Sequence, residues 1–489
     1  MVSRNAKVLS VLTLALINVA AVANLSQLAI LAEYGLAAVF FLGAAALVFF
    51  VPCALVSAEL ATGWPKAGGV YAWVKEAFGP RLGFVAIWLQ WVENIFWYPT
   101  VLSFAAATFA FIIDPTLASN TMYTFVMILI ITWAVTLINF KGMKTSSWIS
   151  SFGVLVGTIF PAILVILMGT AWVLMGGQTQ IPLTTASMMP DLSSIANIVF
   201  FVGVILSFAG IEMSAVHARE VKDPQKDYPK AIFLSVFIIF AIALLGSLSI
   251  AIVVPQSKIL LTAGIMEAFE AFFTYYGIAW TMPILAILIA AGSIGMVNTW
   301  IVGPSKGLLA TAEDGNLPPF FQKANQNGMP TNLLMTQAFI ITVLSMVFIF
   351  MPSVNSSYWI LAAMTVQLYL IMYILMFAAA IKLKYSQPNT PRAYKVPFGK
   401  AGMWGIAGIG IIASFFSIGI GFIPPSQFGT GDPLFYVGFL ATCMFIACVL
   451  PFIIMHFKKA SWKPSTKKTA KKTAKKKKPK RKAKKKKRR

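Results

Sequence analysis

Charge is what this sequence has least of. Of its 489 residues only 11% are Asp, Glu, Lys or Arg, against roughly 25% in an ordinary globular domain. Histidine occurs twice and cysteine three times. Cys53, Cys443 and Cys448 all lie inside apolar runs, so they offer neither a disulfide framework nor metal-ligand spacing. No phosphate-binding loop and no nucleophile–base pair is evident, so an enzyme is not expected, nor a metal or other cofactor. The first apolar run, from about Lys7 to Ala32, outlasts an ordinary signal core and is followed by no small-residue cleavage site. It reads as a retained helix and not a cleavable signal.

Long apolar runs fill the space that charge leaves, and 58% of the chain is hydrophobic. Stretches such as 37–61, 154–175 and 231–254 carry almost no charge and no polar face at a helical period. Their length matches the ~20 residues that cross a ~30 Å hydrocarbon layer. Twelve spans are expected, at 7–33, 37–61, 82–113, 121–140, 148–175, 193–214, 230–254, 280–309, 332–351, 357–384, 402–424 and 433–457. Basic residues favour cytoplasmic loops and test this count independently. With the N-terminus inside, 38 of the 39 Lys and Arg residues fall on the inner side, and Lys258 alone falls outside. An error in the count would scramble that alternation downstream. Both termini are therefore expected in the cytoplasm, and the location is the inner (plasma) membrane.

Transport through such a bundle needs a site near the midplane. Discontinuous helices supply one, because unwound backbone and half-helix N-termini hold an anionic group without a side-chain charge. The first span contains the small and polar stretch Asn18 to Gln27, and the sixth contains Gly203, Ser207, Gly210 and Glu212. The alternative use of such small residues is close helix packing. Two carboxylates, Glu93 and Glu212, lie deep in spans where a charge costs ~2.5–3.5 kcal/mol on insertion scales. Each is a candidate proton carrier, pH sensor or partner for a substrate ammonium; the structural alternative is a neutral acid bonded to a neighbouring helix. Glu59, at the inner end of span two, reads as a local cap. His217 and His456 read as interfacial.

Several motifs together resemble one family. Phe208-Ala-Gly-Ile-Glu212, followed by His217-Ala-Arg-Glu-Val-Lys-Asp-Pro224-Gln-Lys-Asp-Tyr-Pro229, resembles the sixth span and following loop of the amino acid–polyamine–organocation transporters, and within them the bacterial glutamate/GABA antiporters. Ala58-Glu-Leu-Ala-Thr62, Gly68-Gly-Val-Tyr-Ala-Trp-Val74, Trp300-Ile-Val-Gly-Pro-Ser-Lys-Gly307, Asn327-Gly-Met-Pro330 and Arg392-Ala-Tyr-Lys-Val-Pro397 are similar to the same family. The resemblance covers residues 7–457. It implies an all-α, LeuT-like fold of two inverted five-span repeats (about 7–175 and 193–384) plus two helices (about 402–457), with helices one and six broken.

By position, the resemblance puts Ala21, Val22 and Ala23 of the first break at the substrate carboxylate, and Asn18, which opens the polar interruption, is a further substrate-binding candidate. The resemblance lines the site from span six with Phe208, Gly210 and Glu212, makes Trp300 an aromatic gate and turns Tyr369 and Tyr373 toward the substrate path. Aromatic rings are suited to cover an ammonium. This chain departs from the family in having Ala-Val-Ala at the first break, Met296 where the antiporter branch can carry a glutamate, and Glu93 where a neutral residue is usual.

The expected activity is exchange of an external amino acid for an internal amino acid or its decarboxylated amine. Proton-coupled symport is the nearest alternative, and a membrane-anchored sensor or nucleic-acid tether is the third. Residues 458–489 form a Lys/Arg-rich tail that cannot bury a core and is expected to be disordered. It holds 20 basic residues; without them the net charge of +24 falls to +4. Lys475, Lys476, Lys477, Lys478, Lys484 and Lys485 are its candidate contacts, to anionic lipid at ~1 kcal/mol each or to nucleic acid.

Overall fold

Apolar residues on every side of a helix force it into the centre of a bundle or into lipid, and this chain builds its architecture from such helices. The computed structural model describes residues 10–65, 68–142, 153, 155–213, 226–425 and 429–463. Arg4, Lys7, Lys66, Lys144, His217, Arg219 and the tail contacts Lys475–Lys478, Lys484 and Lys485 lie outside the described residues. No strand occurs among the described residues. The helices are α1 (Val11–Val22), α2 (Leu28–Ala32), α3 (Gly35–Gly63), α4 (Val70–Phe78), α5 (Pro80–Ile113), α6 (Thr121–Asn139), α7 (Leu155–Leu174) and α8 (Phe201–Met213). They continue with α9 (Asp227–Ala251), α10 (Gly264–Tyr275), α11 (Ala279–Glu313), α12 (Thr331–Phe350), α13 (Val354–Ser386), α14 (Gly399–Ile420) and α15 (Pro433–His456).

Ten of these are long and apolar enough to cross a membrane, and the bent pair α1–α2 makes an eleventh. The expected sixth span is shorter than its apolar run, since α8 begins only at Phe201 and leaves regular helix after Leu206. Helix starts are fixed by the chemistry expected of them. Ser10, Asn120, Ser353 and Asp432 each accept a backbone N–H of the first turn.

α5 and α13 are the pillars of the bundle and are buried along nearly their whole length. Outer helices present large apolar side chains such as Leu174, Phe237, Phe350 and Phe445 at the surface, as a lipid-facing shell requires. Small residues set the closest approach. A Cβ built on Gly157 of α7 would meet the Leu288 carbonyl oxygen of α11 at 2.1 Å, and one on Gly292 would meet the Gly157 carbonyl carbon at 2.4 Å. The two backbones touch, which only glycine permits.

The end of the bundle that carries most of the basic loops is tied by a buried ionic knot. Both carboxylate oxygens of Glu59 lie 2.9 Å from Lys384 Nζ, Arg392 Nε approaches to 3.2 Å, and the Val396 N–H donates at 2.7 Å. Beside it Tyr394 N–H donates to Thr62 Oγ1 at 3.1 Å, and the Arg392 guanidinium stacks over Trp64. Glu59 is thus more than the local cap expected of it. Two motifs over 300 residues apart, 58–62 and 392–397, meet in one cluster.

The first residues of the expected tail are held in place. Lys458 Nζ donates to Asn316 Oδ1 at 2.8 Å and Gln322 Nε2 to the Trp462 carbonyl at 2.6 Å. Residues Lys458 to Trp462 are thus tied to the 316–322 segment through one side-chain and one backbone contact.

Candidate functional site

Two interruptions in the apolar helices define the site. α1 stops at Val22, Ala23 and Asn24 are extended, and the chain re-enters helix through the turn Leu25–Gln27 at an angle of 51°. Asn24 Oδ1 caps the new start, accepting from Ser26 N–H at 3.0 Å and from Ser26 Oγ at 2.9 Å. Tyr358 of α13 then fixes the second half, donating to the Ser26 carbonyl at 3.0 Å. In α8 the chain turns at Gly210, whose φ of +106° is one that residues with a side chain rarely adopt. The Gly210 N–H set free by this turn donates to Tyr373 Oη at 2.7 Å.

A cavity of about 30 Å³ lies between the breaks. Its wall takes Val22, Asn24 and Gln27 from the first break, and Leu206 and Ala209 from the second. Glu93, Asn94 and Trp97 come from α5, Met296 and Trp300 from α11, and Tyr369 from α13. A cavity that takes up benzene measures about 150 Å³, so an amino acid fits only after the surrounding helices move. The Trp97 and Trp300 rings meet with centroids 5.7 Å apart.

Glu212 sits one layer behind this wall and is fully buried. Tyr369 Oη donates to its Oε1 at 2.6 Å, Tyr373 Oη donates to its Oε2, and Gln90 Nε2 approaches Oε1 at 3.4 Å. Tyr373 thereby joins the carboxylate to the backbone of the break, and Tyr369 joins it to the cavity. On α5, Asn94 Nδ2 donates both to Glu93 Oε1 and to the Gln90 carbonyl. A continuous polar strip runs from Glu93 at the cavity through Asn94 and Gln90 to Glu212.

The residues expected at the site separate into three groups. Val22, Glu93, Trp300 and Tyr369 line the cavity; Gly210, Glu212 and Tyr373 form the layer behind it. Asn18, Ala23 and Phe208 face elsewhere. Asn18 Nδ2 donates to Ser235 Oγ of α9 at 2.8 Å, and Phe208 is stacked between Phe50 and Phe240. Ala23 borders a separate void of about 10 Å³ beside α9. Ala21 lies in the last turn of α1, and its side chain is outside the described residues.

Asn94, Trp97, Gln90 and Gln27 were not singled out from the sequence. A signal for three of them exists: Gln90, Glu93, Asn94 and Trp97 fall at i, i+3, i+4 and i+7, one face of a helix in an otherwise apolar run. Met296 was singled out only as a departure from the family pattern, and it lines the cavity.

At the opposite end from the ionic knot, two wider chambers of about 230 and 430 Å³ are both bordered by Glu33, Tyr34 and Gln256. Glu33 follows the last residue of α2, and burial pushes its carboxyl up to about 8, with Gln256 opposing and Glu267 adding. Burial likewise pushes Glu267, on α10, up to about 7. Among the described residues no cluster of three His, Cys, Asp or Glu side chains is arranged to hold a metal ion.

Comparison with known proteins agrees with this architecture. The amino acid permease family profile matches residues 8–450. The chain is 45% identical over 447 residues to an uncharacterised transporter of Legionella pneumophila, covering 91% of this chain and 96% of that one. It is 33% identical over 422 residues to the glutamate/gamma-aminobutyrate antiporter of Lactococcus lactis strain IL1403, covering 85% and 84% of the two chains. A probable agmatine/putrescine antiporter of the same strain is 26% identical over 352 residues, 71% of this chain and 73% of its own length.

Proposed function

Because the chain belongs to the amino acid permease family, we propose that it exchanges an external amino acid for an internal amino acid or its decarboxylated amine. The observation that carries this reading is the pair of helix breaks enclosing one small cavity with a buried carboxylate behind it. The multi-pass bundle and the permease kinship support transport across the membrane; the antiporters among the relatives support exchange.

In this reading the substrate's carboxylate meets the interrupted backbone of the first break, around Ala23–Asn24. Its ammonium lies against the Trp97 and Trp300 rings. The chain is a LeuT-like twelve-span bundle with both termini in the cytoplasm, and α1–α2 and α8 swing as a unit against α5 and α11. Glu212 acts as the protonatable element of that movement. Its phenol partners on α13 and its link to Gly210 make the geometry of the break depend on its charge.

Purified protein in liposomes tests the exchange. Uptake of labelled amino acid is expected to rise at least tenfold when the lumen is preloaded with unlabelled substrate. Equal uptake into empty liposomes overturns exchange. Proton-coupled symport is the second reading, favoured by Glu93 at the cavity and Glu212 in the layer behind it, and it requires an imposed pH gradient alone to drive accumulation.

A further inference from the structure

The cavity wall is unequal in the charge it can satisfy. Glu93 is 2% exposed and lines the cavity. Its Oε1 accepts from Asn94 Nδ2, while its Oε2 has no hydrogen-bond or ion-pair partner among the described residues. Gln27 reaches the same cavity, with its Nε2 directed to Tyr358 Oη at 3.4 Å and its Oε1 buried without a partner. The wall therefore brings Glu93 and Gln27, from different helices, beside the Trp97 and Trp300 rings. The described lining residues include no Lys, Arg or His.

A buried acceptor without a partner is costly to leave unmet, and Gln27 Oε1 is one. A carboxylate with two aromatic faces beside it meets that need with a cation. A second carboxylate on the substrate would find no positive partner there and would face Glu93 and Glu212 at close range.

We propose that Glu93 is a specificity-determining residue that receives an ammonium group at the distal end of the substrate. The transported class is then diamino acids and the amines left when such acids lose their carboxylate, and distal carboxylates such as that of glutamate are rejected. This rests on the reading of the cavity as the transport site. The carboxylate end of a diamino acid goes to the α1–α2 break, and the distal cation to Glu93 Oε2 and Gln27 Oε1. An amine without a carboxylate keeps the distal contacts and loses the first.

Calorimetric binding to the purified full-length chain tests the assignment. The probes are 2,4-diaminobutyrate, ornithine, lysine, putrescine and cadaverine, neutral amino acids of matching length such as norvaline and norleucine, and glutamate. At least one distal cation is expected to bind ten or more times tighter than its neutral counterpart and than glutamate. In Glu93→Gln that ratio is expected to fall tenfold or more. Glu93→Asp, which keeps the charge, is expected to retain a preference for the cation. Glutamate or a neutral amino acid binding as tightly as every distal cation overturns the assignment while leaving amino-acid transport intact. An unchanged ratio in Glu93→Gln overturns it too. No binding by any probe overturns the cavity as transport site and the assignment with it. Should Glu93→Gln fail to fold, the wild-type ranking decides.

Discussion

Tyr373 is the residue on which the most depends for its size. Its single hydroxyl accepts the N–H that the turn at Gly210 releases and donates to Glu212, so one oxygen couples backbone to carboxylate. Tyr373→Phe takes the hydroxyl acceptor from the Gly210 N–H and the donor from Glu212 Oε2, while Tyr369 still holds Oε1. A loss of about 1–3 kcal/mol is expected for such an orphaned group, read as a lower melting temperature in detergent together with slower exchange. Tyr369→Phe removes one donor from Glu212 and alters the cavity wall, so its exchange defect should exceed its stability defect. Glu33 gives a pH dependence. Its carboxyl stands at about 8 when folded against an ordinary value of 4.5, so between those values the folded chain holds a proton that the unfolded chain has lost. Stability is therefore fullest below the unfolded value and falls as pH rises through 8. The melting temperature should decline across that range, and Glu33→Gln should flatten the decline. Glu93 and Glu212 were legible in the sequence because carboxylates are rare in apolar helices. That Asn18 and Phe208 face away from the cavity was not legible, because residue type does not fix which way a broken helix is rotated.

Elements meet where residues are smallest or where charge is fully paired. α7 and α11 touch through Gly157 and Gly292, and any larger side chain at Gly157 must push the Leu288 carbonyl away. Gly157→Val is expected to cost about 1–3 kcal/mol through overpacking and to broaden or shift the size-exclusion peak of the purified protein. Glu59 ties α3, α13 and the 392–397 loop, and its removal strands two buried cations. Glu59→Ala should cost roughly 3–5 kcal/mol, whereas Glu59→Gln, which keeps acceptors for Lys384 and Val396, should cost less; thermal melting of the two variants checks the order. The helices and the interruption at Asn18–Gln27 could be read from composition and period. The π-helical turn Ala46–Phe50, which carries Phe49 against Tyr373 and Phe50 against Phe208, could not. It is a departure of one hydrogen-bond register inside an unbroken apolar run, and no residue type marks it.

At the scale of the whole molecule, the distribution of Lys and Arg fixes the expected orientation. A cysteine placed at Lys258 should react with a membrane-impermeant thiol reagent on intact cells, and one placed at Lys323 should react only after permeabilisation. Deleting residues 464–489 removes the tail past its docked segment and should leave exchange in liposomes unchanged; loss of transport would make the tail part of the machinery. The sequence by itself determined that the chain is a membrane bundle, where its helices run, that two of them break and that two carboxylates lie at depth. Those follow from local composition, because hydrocarbon tolerates only helices in an open chain and punishes every isolated charge. Only the tertiary structure decided which of the polar groups share a cavity. That depends on the rotation of each helix about its axis and on contacts between segments over a hundred residues apart. Gln90 meets Glu212, and Glu59 meets Arg392, through packing that no local pattern records. The same packing brings Glu93 to a cavity whose described lining residues include no positive partner.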